Sequence, residues 1–448
     1  MSGALLDLLG DVLQRARGKG ATEADAFMVE DQSFSAQVRM GQVDTVKHAR
    51  DQHLALRVFV GRSAAAAATS DLSRESLDRL VDEAVTLARI TAPDPLSGLA
   101  DHAALARGPR DLGLDDPRGH DLAPEAKIDL ARRCEAAALA FDPRITNSEG
   151  GDFADGHARY AYATSHGFAG EYRSSSFSLS ASPLAAANGE MQRDGWYHVT
   201  RKRADLDAPE AIGRTAAQRA LRRLGARRVK TAEVPVIFDP QMASTLIRHI
   251  AGAASGPSLY RGASFLLNRL GQTIAAPSIT IVDDGTMPGA LGSRPFDGEG
   301  LPTQRTVLVD RGVLASYLLD SYSGRKLGLA STHHAARDGG GVGVSTTNLY
   351  LAPGTESPEA LIRSVKSGLY VTELIGFGVN GVTGDYSRGA VGLWIDNGEL
   401  AYPVEEITVA GNLLEMFRAV EGVGNDLVFR DRTAAPTLLI GRMVVAGA

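Results

Sequence analysis

The residues with the clearest capacity for chemistry are histidines, because an imidazole can bind a metal ion or transfer a proton near neutral pH. His249 lies in the apolar stretch QMASTLIRHIAGAASG, residues 241–256, whose spacing predicts a helix. A zinc-hydrolase helix carries a second histidine one turn away and a glutamate that activates the metal-bound water. Here Ile250 follows directly, and Ala253 and Ala254 occupy the positions four and five residues on. These residues predict that His249 lies beside a surface or an interface.

His333 and His334 form the one histidine pair of the sequence. Adjacent residues of an extended chain point to opposite sides, so a single ion is not expected to bind both. The glycines from Gly339 to Gly341 favour a mobile loop around this pair. A weak metal or substrate contact from one of the two histidines is the alternative.

Four carboxylates gather in the segment IVDDGTMPGALGSRPFDGEG, namely Asp283, Asp284, Asp297 and Glu299. Carboxylates are ligands for hard cations such as Ca²⁺. Their spacing matches no calcium-binding loop, however, and Asp-Gly and Asp-Asp-Gly are common turn formers. We therefore expect turn structure here, with a cation site as the alternative.

A glycine-rich segment, LIGFGVNGVTGDYSRGAVG, spans residues 374–392. Its GFGVNG run resembles a phosphate-binding loop, but a dinucleotide-binding fingerprint needs a preceding parallel strand and a following helix. The residues that follow read as strand and turn, so a nucleotide site is not expected. Ser387, between Tyr386 and Arg388, has no histidine close in sequence to activate it as a nucleophile. Activation by a histidine that is close only in space stays open.

The composition indicates a globular protein and argues against some classes of binding partner. The 448 residues suggest two to three domains, with 44% hydrophobic and 22% charged residues. The net charge of −6 argues against general nucleic-acid binding, which needs a basic face. The single cysteine, Cys134, permits no intramolecular disulfide and no cysteine-rich zinc cluster, and we expect it in the core.

The first twenty residues, MSGALLDLLGDVLQRARGKG, have apolar positions at helical spacing and no basic segment before them. They predict an amphipathic helix and not a signal peptide. No stretch approaches 18 consecutive apolar residues, so a membrane span is not expected. We expect the cytoplasm as the location.

Hydrophobic periodicity predicts the elements that position these residues. Between Ala24 and Ser70, five short runs of period two predict a meander of antiparallel strands, and strands return from Ile145 to Arg203. The helices predicted in this half are Ser73–Thr91 with Ser73 as N-cap, Pro124–Phe141 and Ala208–Gly225.

In the second half, the sequence predicts a helix that begins at Asp239 and Pro240, followed by many short strands. The turns in VDRGVL and IDNGEL predict two β-hairpins. Because helices and strands do not alternate in βαβ order, we expect an α+β fold. We predict two domains, an N-terminal antiparallel sheet with helices at residues 1–225 and a mostly antiparallel β-rich domain at residues 226–448.

The second half resembles the TldD/PmbA family, specifically its PmbA (TldE) branch. The resemblance rests on ASGPSLYRGASFLLNRLGQTIAAPSITIVDD, on FDGEGLPTQRTVLVDRGVLASYLLDSYSGRKLG and above all on GVNGVTGDYSRGAVGLWIDNGELAYPVEEITVAGNLLEMF. It covers residues 234–447, and the N-terminal elements fit the family's other domain more loosely. Members have been called modulators of DNA gyrase and peptide-maturation factors.

The resemblance implies a two-domain α+β protein and a cytoplasmic proteolytic system in which a TldD-type subunit pairs with a TldE-type subunit. The TldD branch carries His-Glu-x-x-x-His on a helix, and a cysteine near the C-terminus completes its zinc site. In this chain Ile250 stands for the glutamate and Ala254 for the second histidine, and residues 421–429 contain no cysteine. We therefore expect no catalytic zinc in this chain and a zinc ion in its TldD-type partner.

The function that the resemblance implies is that of a non-catalytic subunit that helps to shape a peptide-binding cavity. Exposed β edges would hold an extended peptide there by strand addition. We place peptide or partner contacts at Gly384, Asp385, Tyr386, Ser387 and Arg388, with Arg388 meeting a carboxylate and Tyr386 packing on the peptide.

Two other functions stay open. One is an adaptor, for example a gyrase-associated protein without a role in proteolysis, since the acidic charge suits a protein partner better than DNA. The other is an independent hydrolase with an unrecognised site. Self-association is a further expectation, whereas nucleic acid and membrane are not expected partners.

Overall fold

The computed structural model describes residues 3–108, 110–338 and 340–447. Its α-helices are α1 (Ala4–Gly18), α2 (Arg74–Ile90), α3 (Pro124–Leu139), α4 (Pro209–Leu221), α5 (Pro240–Ala253), α6 (Gly256–Tyr260), α7 (Ser321–Leu327), α8 (Pro358–Ser364) and α9 (Leu413–Arg418). Short 3₁₀ turns lie at His102–Ala104, Gly119–Asp121 and Arg203–Asp205.

The strands of the first half are β1 (Glu23–Arg39), β2 (Gln42–Val60), β3 (Ser63–Thr69), β4 (Ile145–Thr164), β5 (Ala169–Ala187), β6 (Glu190–Arg193) and β7 (Trp196–Thr200). Those of the second half are β8 (Ala232–Phe238), β9 (Ile281–Asp284), β10 (Arg305–Asp310), β11 (Val313–Leu314), β12 (Ala335–Asp338), β13 (Gly341–Val344), β14 (Leu349–Leu351), β15 (Ser367–Ile375), β16 (Asp385–Asp396), β17 (Glu399–Asn412), β18 (Val420–Val423), β19 (Thr433–Ala434) and β20 (Leu438–Ala446).

The N-terminal strands form one antiparallel sheet in the order β3-β2-β1-β4-β5-β6, with β7 also paired to β5. The predicted five short strands between Ala24 and Ser70 are wrong in number, because the structure has three. The polar residues that suggested turns lie inside continuous strand pairings. For example, Asp31 of β1 faces Asp51 of β2. β4 pairs with β1 over the same region and keeps the backbone of β1 extended.

Helices cover one face of this sheet. Ala26 and Met28 of β1 pack beneath α1 and α2, and Phe34 and Ala36 of the same strand pack beneath α3 and α4. These positions share one parity, so alternation puts Phe27 and its neighbours on the opposite face. That second face looks toward the C-terminal half, where Tyr162 of β4 shares a small aromatic cluster with Phe27.

The predicted helices of the first half are confirmed. The side chain of Ser73 accepts a hydrogen bond from the Ser76 amide and caps α2, as predicted. α3 begins at Pro124, and Cys134 is buried on its inner side in the core, also as expected. No helix in the described ranges is long and apolar enough to cross a bilayer.

The C-terminal half contains two main sheets. One has the order β17-β16-β15-β8-β20-β18, and β17 also pairs with β20, so the sheet curls toward closure. The other has the order β11-β10-β9-β14-β19. All described strand pairs are antiparallel except β8 with β15 and β14 with β19. α5 lies between the two sheets, and its Leu246, Ile247 and Ile250 join their common core.

Both predicted hairpin turns are confirmed. Arg311 and Gly312 connect β10 to β11, and Asn397 and Gly398 connect β16 to β17, all four with positive φ. Positive φ at both central residues is the type I′ geometry that such turns require. The molecule is an α+β fold with mostly antiparallel sheets, as predicted, while the two-domain division near residue 226 stays a prediction.

Candidate functional site

The helix of His249 is held rigidly at its start. The Asp239 carboxylate accepts a hydrogen bond of 2.8 Å from the Met242 amide, and Pro240 occupies the first helical position. Burial raises the pKa of Asp239 to about 6, although Arg219 and Arg222 oppose the rise. With its start capped and its apolar stripe buried between two sheets, α5 presents its last turns at a fixed position.

Those last turns line a cavity of about 360 Å³. His249 and Gly252 form one wall, and Phe377 and Arg388 belong to the opposite wall. Phe265 also borders the cavity. Two segments that the sequence analysis treated separately, the α5 helix and the glycine-rich run, therefore meet at one site.

His249 occupies this cavity as a neutral imidazole. Burial lowers its pKa, and the positive charges of Arg388 and Arg248 lower it further. Its ring meets the ring of Tyr386 edge to face, with centroids 6.2 Å apart. Its Nε2 atom is buried and has no hydrogen-bond partner within the ranges the structure describes. A ligand with a hydrogen-bonding group would satisfy this atom.

Arg388 is the predicted contact residue that fits best. Its Nη2 atom donates a hydrogen bond of 3.1 Å to the Leu374 carbonyl, which orients the guanidinium beside the cavity. Tyr386, in contrast, is only 2% exposed and belongs to the core. Direct packing of its ring on a peptide does not fit this placement, because the ring lies beneath His249.

The other three predicted contact residues form the start of β16. Gly384 has a φ of 83° and turns the chain into the strand. Asp385 is exposed and accepts hydrogen bonds from Thr383 and Asn412, which lower its pKa. Ser387 is also exposed, and in the described part of the chain its hydroxyl has no hydrogen bond to a histidine.

The expected exposed β edge at residues 384–388 is wrong. One side of this segment pairs with β17, where Ser387 faces Ala410. On the other side the Ser387 amide donates to the Gly378 carbonyl, and Val379 forms a bridge with Tyr386. Both backbone edges are occupied, so a ligand here would meet side chains and not a free strand.

The loop that occupies this edge carries an unusual apolar surface. The side chain of Phe377 is fully exposed, and Ile375 and Val382 are each more than half exposed. Gly378 holds the loop close to β16, because a Cβ there would lie 1.8 Å from the Ser387 carbonyl oxygen. The role of Phe377 was not predicted from the sequence, although an aromatic residue between glycines in GFGVNG was the available signal.

The site does not fit a zinc ion. Its one imidazole is joined by two guanidinium groups, which repel a divalent cation, and Ile250 is buried in the core. Among the described residues, no group of three or more histidine, cysteine or carboxylate side chains is placed to hold a metal ion.

The mobile loop predicted around both histidines is wrong for His334, which is buried beside a carboxylate. His334 is 2% exposed, and its Nε2 atom lies 3.1 Å from the buried Asp283 carboxylate. The Nδ1 atom of His333 instead lies 2.7 Å from the Pro302 carbonyl oxygen, so the two rings do point apart as predicted. Gly339, part of the predicted glycine-rich loop, lies outside the described residues.

The acidic cluster is structural, as predicted. Asp284 accepts hydrogen bonds from the amide and hydroxyl of Thr286, which is turn chemistry. Asp297 accepts from the Glu299 and Leu301 amides, and Glu299 accepts from the Ser321 amide. Burial and the Glu299 charge together raise the pKa of Asp297 to about 7, although Arg294 and the Glu299 and Leu301 amides oppose the rise. Burial also raises the pKa of Glu299, although Arg57 opposes the rise.

Comparison with known proteins identifies the family to which this architecture belongs. Family models for the PmbA/TldA metallopeptidases match residues 24–88 (domain 1), 117–224 (central domain) and 231–447 (C-terminal domain). Metalloprotease PmbA of Escherichia coli O157:H7 is 40% identical, over 99% of this chain and 96% of that protein.

Two solved structures share the fold over nearly their whole length. The crystal structure of a proposed modulator of DNA gyrase from Bacteroides thetaiotaomicron is 30% identical, with a TM-score of 0.92 over 99% of this chain and 98% of the other. TldE from Thermococcus kodakarensis is 20% identical and shows the fold alone, with a TM-score of 0.88 over 98% of this chain and 100% of the other. The resemblance found in the sequence is thereby confirmed, and this chain belongs to the PmbA/TldE branch of the PmbA/TldD metallopeptidase family.

Proposed function

We propose that this chain is a non-catalytic, PmbA/TldE-type subunit of a cytoplasmic zinc metalloprotease that degrades or processes unfolded peptides. One observation carries the proposal. The last turns of α5, where the resemblance places a zinc helix in the TldD branch, line an open cavity whose polar side chains are one neutral imidazole, two guanidinium groups and the Ser258 hydroxyl. Such a cavity has the space to bind a peptide and lacks the base and ligands needed to cleave it.

The cavity suits the carboxyl-bearing part of a peptide. Arg248 and Arg388 both line it, and none of its lining residues is an aspartate or glutamate. A carboxylate that enters would gain charge-assisted hydrogen bonds from Arg388. Phe377 at the rim adds apolar surface for a neighbouring peptide side chain. Recognition through one charged group and one apolar contact tolerates many peptide sequences.

Under this proposal the partner is a TldD-type homologue that holds the zinc ion. The exposed apolar loop around Phe377 is suited to contact with a partner chain, because contiguous exposed apolar residues mark interaction sites. Assembly as a heterodimer would then place a zinc site of the partner beside a cavity of this chain. Self-association of this chain is the simplest competing assembly, and its mass in solution would reveal it.

A reconstituted peptidase tests the proposal. We expect no cleavage by this chain alone, cleavage by the mixture with a TldD-type partner, and loss of that cleavage with a chelator. Arg388→Gln should lower cleavage by the mixture roughly tenfold or more, since a hydrogen bond to a charged group contributes about 1.5–3 kcal/mol. Arg74→Gln, at the exposed start of α2, is the matched control and should leave cleavage unchanged.

Three results would overturn the proposal. The first is about one tightly bound zinc ion per chain of the isolated protein. The second is chelator-sensitive cleavage by this chain alone, which would favour the independent hydrolase. The third is unchanged cleavage with Arg388→Gln in a correctly assembled complex.

A gyrase-directed adaptor is the alternative, and the name of the similar Bacteroides protein supports it. Affinity purification from cells separates the two functions. A zinc-containing homologue in the purified complex supports the protease subunit. Gyrase without such a homologue supports the adaptor.

A further inference from the structure

A second, larger cavity lies between the two halves of the chain. Its volume is about 880 Å³, within the size range of small-molecule sites. The uncovered face of the N-terminal sheet forms one side, and residues 291–294, 296–298, 336–337, 343–346 and 431–432 form the other. It shares no lining residue with the cavity around His249.

The sheet side offers aromatic rings and hydroxyl groups. Tyr160 of β4 and Tyr172 of β5 stack with ring centroids 4.8 Å apart. They are directly opposite in the ladder, and Ser174 and Ser176 continue the same face of β5 into the cavity. This side can therefore pack a flat or apolar ligand group and donate hydrogen bonds beside it.

Three arginines converge on the cavity, namely Arg201, Arg294 and Arg432. In the described part of the chain none of the three has a carboxylate within ion-pair distance. Burial raises the pKa of Tyr172 and both Arg294 and Arg201 oppose the rise, so these two guanidinium groups lie near the same ring. Burial lowers the pKa of Arg201, and the Arg432 charge adds to that effect.

The charge of a fourth arginine on the cavity wall is compensated by a carboxylate of the protein. Arg337 lies 2.7 Å from the buried Asp25 carboxylate, and donates from its Nη2 atom to the Tyr162 hydroxyl. Arg201 is compensated in another way, because it donates to the carbonyls of Ser175 and Leu291. These bonds fix the two arginines as parts of the fold.

Arg294 has neither kind of partner. Its Nε and Nη2 atoms are buried and form no hydrogen bond with any described residue. Buried donors are normally satisfied, and a buried charge without a partner is unfavourable. Arg294 borders the cavity, and an oxyanion that enters beside it would give the guanidinium a charged acceptor in the bidentate geometry that arginine favours.

The carboxylates on the cavity wall do not fill this role. Asp297 already accepts hydrogen bonds from three backbone amides, those of Glu299, Leu301 and Ala335. The Oδ1 atom of Asp431 accepts from the neighbouring Arg432 amide. Burial and the nearby Asp51 raise the pKa of Asp31, which makes its ionised form less favourable. Arg294 opposes the rise in the pKa of Asp297, so this carboxyl group offers Arg294 some compensation, but burial and the Glu299 charge favour its protonated form and leave Arg294 short of a carboxylate partner.

We propose that this cavity binds a small ligand through an oxyanion, a carboxylate or a phosphate, with Arg294 as the principal binding residue and Arg432 and Arg201 as supporting charges. The stacked pair Tyr160 and Tyr172 packs against the rest of the ligand. This site is independent of the peptide cavity and of the protease proposal, since it shares no residue with either.

Calorimetric and thermal-shift titrations test the site with two probes, inorganic phosphate and succinate, at low ionic strength and against chloride. We expect saturable binding of at least one probe by the wild-type chain, with a rise in melting temperature that follows mass action. Preference for phosphate or for succinate then identifies the ligand chemistry. Arg294→Gln should weaken binding roughly tenfold or more, as expected for loss of a charge-assisted pair.

Two control variants separate binding from folding. Arg432→Gln changes an exposed charge of the same site and should weaken binding by a smaller factor without affecting the fold. Arg74→Gln makes the same charge change at the exposed start of α2, away from both cavities, and should bind both probes as wild type does. Without ligand, Arg294→Gln should melt at the same or a higher temperature, because it removes a buried charge that has no partner in the protein.

The proposal fails if neither probe binds more tightly than chloride, or if Arg294→Gln binds as tightly as wild type. If Arg294→Gln does not fold, Arg294 is a structural residue and its assigned role is wrong. Phosphate binding that Arg388→Gln weakens and Arg432→Gln leaves unchanged would place the phosphate in the cavity around His249 and would also overturn the proposal.

Discussion

The cavity around His249 and the cavity around Arg294 both contain arginines without carboxylate partners, yet they are built differently. The cavity around His249 is formed within the C-terminal half, by one helix end and one loop tied to β16. The cavity around Arg294 is formed between the halves, by the open face of a long sheet and several separate segments of the C-terminal half. The first is small and carries an exposed apolar rim, whereas the second is larger and walled by hydroxyls and tyrosines.

The difference shows how to separate architectural charges from charges available to a ligand. Arg337 and Arg201 have protein partners for their guanidinium groups, and Arg388 is anchored by one carbonyl. Arg337 and Arg388 each leave one buried donor without a partner, whereas Arg294 leaves two, and its side chain forms no hydrogen bond with any described residue. Substitution of a paired group should destabilise the fold, whereas substitution of an unpaired group should affect only ligands.

The largest effect is expected from Asp25→Asn, which leaves Arg57 and Arg337 with a weakened partner in a buried site. Although burial alone would raise the pKa of Asp25, Arg337 and Arg57 lower it overall, so the charged pair is favourable. Loss of one partner from a buried ion pair costs about 3–5 kcal/mol. Urea unfolding measures this loss, with Asp431→Asn as an exposed control; a change below that of the control would contradict the assignment of paired charges to the fold.

A second prediction concerns the smaller cavity. Gly378→Ala places a Cβ 1.8 Å from the Ser387 carbonyl and must displace the loop that carries Phe377. Overpacking of this kind costs about 1–3 kcal/mol, and we expect peptide cleavage by the assembled complex to fall with it. Gly381→Ala is the matched control, since its Cβ would meet only Ala263 O at 3.8 Å. Equal cleavage by the two variants would show that the loop position does not matter.

A third prediction uses pH to change the charge of the larger cavity. The pKa of Asp297 is raised to about 7 from its ordinary value of 3.8, so its protonated form is favoured in the fold. Its contribution to stability is therefore present below pH 3.8 and is lost as the pH rises through 7.

Glu299→Gln should lower the pKa of Asp297, because the Glu299 charge is a cause of the rise, and should keep an acceptor for the Ser321 amide. Each unit by which that pKa falls reduces the loss of stability by about 1.4 kcal/mol. Unfolding free energies across this pH range measure the difference. Parallel pH profiles for variant and wild type would refute the coupling.

The smallest effect is expected at His249. Burial, Arg388 and Arg248 lower its pKa, so the unfolded chain takes up a proton at a higher pH than the folded chain. The neutral imidazole is therefore favoured, and stability decreases as the pH falls from the ordinary histidine value toward the lowered pKa. Arg388→Gln should raise the pKa of His249, so that the decrease ends at a higher pH and becomes smaller, and an NMR titration measures this shift. An unchanged titration would place Arg388 farther from the imidazole than the structure has it.

Local features of the fold were predictable from the sequence, and features that depend on distant pairing were not. The Ser73 cap, the Asp239-Pro240 start of α5 and the hairpin turn at Asn397 follow from a few adjacent residues. The length of β1 does not, because its polar middle is kept extended by β4, which lies far along the chain.

The same limit applies to the sites. The sequence singled out His249 and Arg388 separately, and only the fold brings them to one cavity. It missed the Arg294 cavity altogether, since that site depends on which face of the sheet is left uncovered by helices. The pairing of His334 with Asp283 was also not predictable from the sequence, because burial of a histidine cannot be inferred from its immediate neighbours.

The single cysteine has a practical consequence for spectroscopy. Cys134 is fully buried, and burial raises the pKa of its thiol to about 12, so little reactive thiolate forms near neutral pH. The wild-type chain should therefore resist maleimide reagents while it is folded. A variant such as Phe377→Cys could then be labelled at one position in an otherwise unmodified background, and fluorescence at that label would follow partner or peptide binding directly.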